Sequence, residues 1–153
     1  METCFVDSNI FYYHLLQDKV YGASATEVIR RIRDGEEAAT SVIVLSELMS
    51  LFEYRMIQTA RRKDLSEGEK AYITERFKKS MSGLSDLIMT LTHLEKLDCV
   101  WEDALKAFKY GAEYGLGFND AAILAAMERK NISNVYSFDK AFVSVLWVRR
   151  RDS

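Results

Sequence analysis

The chain contains no proline, only two cysteines and seven glycines among 153 residues. Without proline nothing deletes a backbone donor or clashes with a preceding turn, so long unbroken helices are permitted. Cys4 and Cys99 stand in separate apolar stretches, with no second cysteine or histidine at ligand spacing. That disfavours a thiolate zinc site and suits buried free thiols in a reducing compartment. No apolar run approaches the roughly 18 residues needed to cross a bilayer. Glu2 and Asp7 stand where a secretory signal would carry basic residues. A cytoplasmic protein is expected. Neither sign of charge dominates: Lys plus Arg is 21, Asp plus Glu is 23, and the formal net charge is −2. That argues against a uniformly basic nucleic-acid binder and leaves room for a local basic groove.

What is present reads as alternating strands and helices, with no repeat, low-complexity tract or linker. The length and the 48% hydrophobic content suit a single domain over residues 1–153 with one core. Strands are predicted over 3–6, 38–42, 97–100, 134–138 and 145–148. Short helices are predicted over 10–16, capped by Ser8 or Asn9, and over 26–33, closed by Asp34 and Gly35. Leu45, Leu48, Met49, Phe52 and Met56 follow helical spacing, and that helix ends in Arg61, Arg62 and Lys63. Ser66 precedes Glu69 by three residues, a capping-box signal. It opens a long helix striped by Ile73, Phe77, Met81, Leu84, Ile88 and Leu91. The two helices form a hairpin at about 45–94. Trp101, Leu105, Phe108 and Ala112 mark a further helix, and an alanine-rich one runs over 120–129. A helical turn is predicted over 140–143. The alternation predicts an α/β fold with a parallel sheet covered on both faces. Such sheets bind ligands at the carboxyl ends of their strands, where the strand order reverses.

Four acids hold the places such a site would use. Asp7 directly follows the first strand and Asp139 the fourth. Asp120 opens the alanine-rich helix, and Glu47 stands in the first turn of the helix after the second strand. Converging carboxylates repel one another and need a cation to neutralise them. An oxygen-only donor set selects Mg²⁺ or Mn²⁺ over zinc, and such ions activate water against a phosphoryl group. Taken singly, Asp120 and Asp139 suit helix caps equally well, and Glu47 suits a solvated helix face. Asp7 resists that treatment, because a charge at the end of a buried strand needs a partner.

These residues carry a resemblance to the PIN domains. Phe5-Val6-Asp7-Ser8-Asn9-Ile10 resembles their opening motif, and Ser46-Glu47-Leu48 their second. Asn119-Asp120-Ala121-Ala122 resembles the third. Ser137-Phe138-Asp139-Lys140 is similar to the fourth, with serine where threonine is commoner. The motifs match in order along essentially the whole chain. The resemblance implies a three-layer α/β/α sandwich with a five-stranded parallel sheet ordered 3-2-1-4-5. It implies Mg²⁺- or Mn²⁺-dependent cleavage of single-stranded RNA, as in VapC-type toxins of toxin–antitoxin pairs. It makes Asp7, Glu47, Asp120 and Asp139 the catalytic and metal-site acids, with Ser8, Asn9 and Ser137 in support. A homodimer and a small antitoxin partner follow from the same likeness. The long hairpin with Arg61, Arg62, Lys63, Lys78 and Lys79 departs from the pattern, as does the lack of a proline before the second motif. The hairpin suits an RNA clip, a partner surface or a plain solvated face.

Other features are weighed against this. His14 and His93 lie among leucines and read as structural. Phe11, Tyr12 and Tyr13 suit base stacking, though such clusters are more often core or dimer surface. Arg149, Arg150 and Arg151 suit phosphate contact or a frayed tail. The implied strand order separates Cys4 from Cys99, so no disulfide is expected. A non-catalytic RNA- or protein-binding module on the same fold is the main alternative, and the presence of all four acids counts against it. A dinucleotide site would need G-x-G-x-x-G after the first strand, where Asp7-Ser8-Asn9 stands.

Overall fold

A computed structural model describes residues 2–152. In chain order its elements are β1 (Cys4–Val6), α1 (Ser8–Leu16), α2 (Gly22–Arg33), β2 (Ala38–Ser41), α3 (Val42–Arg61), α4 (Glu67–Thr90), β3 (Leu94–Leu97), α5 (Trp101–Tyr114), α6 (Phe118–Arg129), β4 (Asn134–Tyr136), a 3₁₀ helix (Ala141–Ser144) and β5 (Arg149–Arg151). The strands make one sheet in the order β3-β2-β1-β4-β5, with every pairing parallel. Right-handed crossovers place the helices on both faces, which gives the three-layer α/β/α sandwich that the sequence implied. β1 sits between β2 and β4, and the chain leaves β1 and β4 toward opposite edges. Their carboxyl ends therefore open a crevice.

β1, β2 and β4 are buried at every position, as expected for strands covered on both faces. Phe5, Phe11, Phe52, Tyr136 and Phe142 are fully buried between sheet and helices, each worth roughly 1.5–3 kcal/mol of transfer free energy. The expected capping box is present: the Ser66 hydroxyl accepts from the Glu69 N–H, and the Glu69 carboxylate accepts from the Ser66 N–H. The α4 stripe buries progressively toward its carboxyl end. Leu84, Ile88 and Leu91 are buried, whereas Phe77 and Met81 are partly covered.

Several boundaries differ from the sequence expectation. β3 runs over Leu94–Leu97, not 97–100, with Leu94 and Leu97 buried and Glu95 and Lys96 exposed. As an edge strand it tolerates two adjacent charges, and they break the alternation that would have revealed it. Cys99 consequently lies past the strand, and both cysteines are free thiols. β5 is the arginine run itself, not 145–148. Val145 is instead buried in the core after the 3₁₀ helix. The Arg149 N–H donates to the Ser133 carbonyl at 2.7 Å, and the Arg151 carbonyl accepts from the Ser137 N–H at 3.1 Å. A ladder needs backbone groups rather than apolar side chains, and charged side chains suit a sheet edge. α3 starts at Val42 directly after β2, which places Glu47 in its second turn rather than its first. α2 starts earlier than expected, at Gly22.

Candidate active site

Asp7 directly follows β1 and is only 3% exposed. Its backbone is extended, and its Oδ1 accepts from the Ser8 N–H at 2.7 Å. Asp7 itself is therefore the cap of α1, the role the sequence assigned to Ser8 or Asn9. Its Oδ2 accepts from the Ser137 hydroxyl at 2.6 Å and from the Asn9 amide at 3.0 Å. The charge on a buried strand end thus finds three donors, as its burial requires.

Asn9 ties the two central strand ends together. Besides reaching Asp7, its amide donates to the Ser137 hydroxyl at 3.0 Å, and its carbonyl oxygen accepts from the Phe138 N–H at 3.1 Å. Ser137 is fully buried, and its oxygen also accepts from the Asp139 N–H at 3.0 Å. Asp139 is exposed, and its Oδ1 accepts from the Ala141 N–H at 3.0 Å, opening the 3₁₀ helix. The cap position of that helix is Lys140, so Asp139 precedes the cap while also lining the cleft.

Asp120 stands in the first turn of α6 and makes no cap bond to it. Glu47 reaches in from α3. The four acids line one cleft of about 300 Å³ with Ser8, Asn9, Tyr13, Tyr21 and Phe138. Ser137 lies behind this wall, under Asp7. Of the three aromatic candidates on α1, Phe11 and Tyr12 are buried in the core, and only Tyr13 lines the cleft. His14 contacts the Thr26 hydroxyl and His93 the Glu37 carboxylate, both away from the cleft.

The electrostatics follow from this crowding. Burial, then the charges of Asp7 and Asp120, push the Glu47 carboxyl up to about 7. The nearby Asn119 amide and Ser8 hydroxyl partly counter the rise. Burial, then Asp7 and Asp139, push Asp120 up to about 6. Asp7 is raised by burial against the pull of the Ser137 hydroxyl and the Ser8 N–H. Glu47 Oε2 is buried without a hydrogen-bond partner. An orphaned carboxylate oxygen in an all-oxygen donor set is what a hard divalent cation would satisfy. Among the described residues no three Asp, Glu, His or Cys side chains already form a finished metal-holding set. The acids line the cleft without closing on one point.

Tyr21 and Phe138 were not singled out as cleft residues in the sequence. Phe138 lay within the fourth motif. Tyr21 is fourteen positions past Asp7, in a turn that carries no periodic signal.

Fold and cleft together define a parallel-sheet α/β protein with an acidic site at its central strand ends. The chain belongs to the PIN domain family, whose model matches residues 4–146. No curated protein matches it significantly. Among solved structures it is similar to Mycobacterium tuberculosis VapC20, a sarcin–ricin-loop-cleaving toxin. That likeness has a TM-score of 0.69 and 18% identity, over 95% of this chain and 97% of that one. Rickettsia felis VapBC2, bound to a promoter DNA fragment, matches with a TM-score of 0.58 and 16% identity, over 97% of each chain. A toxin–antitoxin complex from Klebsiella pneumoniae matches with a TM-score of 0.56 and 19% identity, over 96% of each. At these identities the likeness is one of fold. Among the described residues no helix is long and apolar enough to cross a membrane.

Proposed function

We propose that the chain is an endoribonuclease that hydrolyses phosphodiester bonds of single-stranded RNA with a divalent cation, Mg²⁺ or Mn²⁺, and that it serves as the toxin of a toxin–antitoxin pair. The observation that carries this is the convergence of Asp7, Glu47, Asp120 and Asp139, from four distant parts of the chain, on one cleft. Two of them are held well above their usual carboxylate range. Perturbed carboxylates gathered in a crevice mark functional sites.

In this reading the four acids hold the cation. When bound, it supplies a more acidic water and neutralises charge on the phosphoryl group. Ser137 and Asn9 fix the Asp7 carboxylate through Oδ2, and Oδ1, which accepts from the Ser8 N–H, keeps one acceptor site for the cation. Glu47, whose Oε2 is buried without a hydrogen-bond partner, would give that oxygen to the cation. The toxin–antitoxin assemblies among the structural neighbours support a small protein partner. A second copy of this chain is supported by the exposed Trp101, Leu105 and Phe108 along α5.

The test is cleavage of a mixed single-stranded RNA in Mg²⁺, in Mn²⁺ and in EDTA, with wild type and Asp7→Asn. Cutting that needs the metal and vanishes in a folded Asp7→Asn variant is the expected result. A folded wild type that binds RNA without metal and never cuts it would instead establish a non-catalytic binding module.

A further inference from the structure

Besides its acids, the cleft is lined by three aromatic side chains that hydrolysis leaves unused. Tyr13 comes from α1, Tyr21 from the turn before α2, and Phe138 from the segment after β4. Their rings form one cluster: Tyr21 to Phe138 is 4.7 Å between centroids, Tyr13 to Tyr21 5.0 Å, and Tyr13 to Phe138 5.7 Å. All three line the cleft that holds Asp7, Glu47, Asp120 and Asp139. Tyr13 and Phe138 are partly buried, whereas Tyr21 is 41% exposed. The outermost ring of the cluster therefore offers aromatic surface beside the acids.

That ring is held in place. Asp18 Oδ1 accepts from the N–H groups of Val20 and Tyr21, each at 2.8 Å. The Gly22 N–H donates to the Asp18 carbonyl at 3.0 Å. A Cβ on Gly22 would meet the Gln17 carbonyl carbon at 3.0 Å, so the turn closes tightly only with glycine there. The Tyr21 ring packs tilted, at 32° and 34°, against the planes of Phe138 and Tyr13, at centroid separations usual for packed aromatic pairs. The turn and the two neighbouring rings restrict the ring before any ligand arrives, which lowers the entropy cost of stacking against it.

An apolar ring face with negative quadrupole does not attract a bare phosphate. It attracts another flat π-system, and nucleobases stack on such rings with little regard to identity. We propose that Tyr21, backed by Tyr13 and Phe138, is a base-stacking subsite for a nucleotide next to the phosphate held at the acids. The inference rests on the reading of the cleft as an RNA site and deepens it. A base within a duplex already has both faces covered, so the subsite admits only an unpaired or extruded nucleotide. Single-strand preference is thereby built into the cleft wall, and no base edge need be read.

The test measures binding in an Asp7→Asn background, with short single-stranded RNAs carrying 2-aminopurine at each position in turn. One position is expected to be quenched on binding. Tyr21→Leu should abolish that quench and weaken binding about 5- to 150-fold, while Tyr21→Trp restores both. An abasic site at the quenched position should weaken the Asp7→Asn protein to the same degree and leave the Tyr21→Leu version unchanged. Equal affinity and quench in Tyr21→Leu would overturn the subsite, as would duplex bound as tightly as single strand, or no RNA binding at all. Quenching that depends on Tyr21 in a protein whose wild type never cuts would keep the subsite and refute the hydrolase. Cutting by a wild type whose binding is indifferent to Tyr21 would do the reverse.

Discussion

Asp7 carries a charge to the end of a buried strand, and three donors meet it there. Ser137 is the most deeply placed of them. Ser137→Ala removes its hydroxyl bond and the acceptor used by Asn9 and the Asp139 N–H. Groups that orient a metal ligand from behind are worth about 10- to 100-fold in metal affinity or activity. Ser137→Ala should lose that much in Mn²⁺ affinity by calorimetry, and Ser137→Thr should retain most of it. Glu47 and Asp120 have folded pKa values raised to about 7 and about 6 from ordinary values of 4.5 and 3.8. Their protonation stabilises the folded state fully below the unfolded values, and that stability is lost as pH rises through the folded ones. The metal-free protein should therefore be less stable at pH 8 than at pH 5, by about 1–2 kcal/mol from this pair after allowance for partial exposure. Denaturant unfolding in EDTA reads the difference. Glu47→Gln should flatten the slope and raise stability at pH 8 while abolishing cleavage. A slope unchanged by Glu47→Gln would remove the pair as its source. At this scale the sequence was legible wherever the chemistry is local: Asp7, Asp120 and Asp139 show as acids at element ends. The Asn9–Ser137 bridge spans 128 positions, and no local pattern encodes it. The resemblance gave both residues a supporting role at the site, where the local pattern offered Asn9 only as a helix cap and Ser137 not at all.

At the scale of elements, the buried strands and the capped helix α4 could be read from apolar runs and one capping box, while the edges of the fold could not. β3 and β5 are edge strands whose stability comes from backbone ladders, and their side chains are free to be charged. The periodicity that signals burial is then missing, which is why the arginine run resembled a tail. β5 covers β4, and its Arg151 carbonyl holds the Ser137 N–H. Deleting residues 149–153 should therefore cost more than the side chains suggest. Each interior backbone group left unpaired costs about 1–3 kcal/mol. The truncated protein should melt several degrees lower and lose activity through Ser137, whereas the exposed Arg149→Thr should stay within about 0.5 kcal/mol of wild type. Thermal unfolding of both variants decides between a structural strand and a dispensable tail. α5 teaches the opposite lesson. Its helical stripe was visible in the sequence, but it faces solvent, and the face turned inward is Asp103, Ala107 and Tyr110. Periodicity identifies an amphipathic face without saying what covers it. Here the inward contacts come from the small Ala107, from Tyr110 and from the buried Asp103, which accepts at 2.8 Å from the partly exposed Arg129 of α6.

The whole molecule must then account for that outward stripe. Trp101, Leu105 and Phe108 are 75%, 54% and 71% exposed, at the i, i+4 and i+7 spacing of a single helix face. Phe118 extends the patch, its ring 6.2 Å from that of Phe108. Together these side chains leave on the order of 500 Å² of apolar surface in water, given the area such rings carry. That is at the upper limit of what monomers usually expose. It also supplies most of the roughly 800 Å² per partner that a standard interface buries. A twofold dimer apposes identical patches, so one stripe of this size suffices for both subunits. Phe118 stands two residues before Asp120, so such an interface would border the acidic cleft and lengthen the groove available to a strand. Light scattering at micromolar concentration should accordingly give twice the 17.6 kDa chain mass. Trp101→Glu combined with Phe108→Glu should give a folded monomer, because neither ring is part of the core. The monomer should keep Mn²⁺ binding and lose affinity for long single strands more than for short ones. A wild type that is monomeric alone and shifts only with a second protein would assign the stripe to that partner, and the acidic cleft would then work within a single chain.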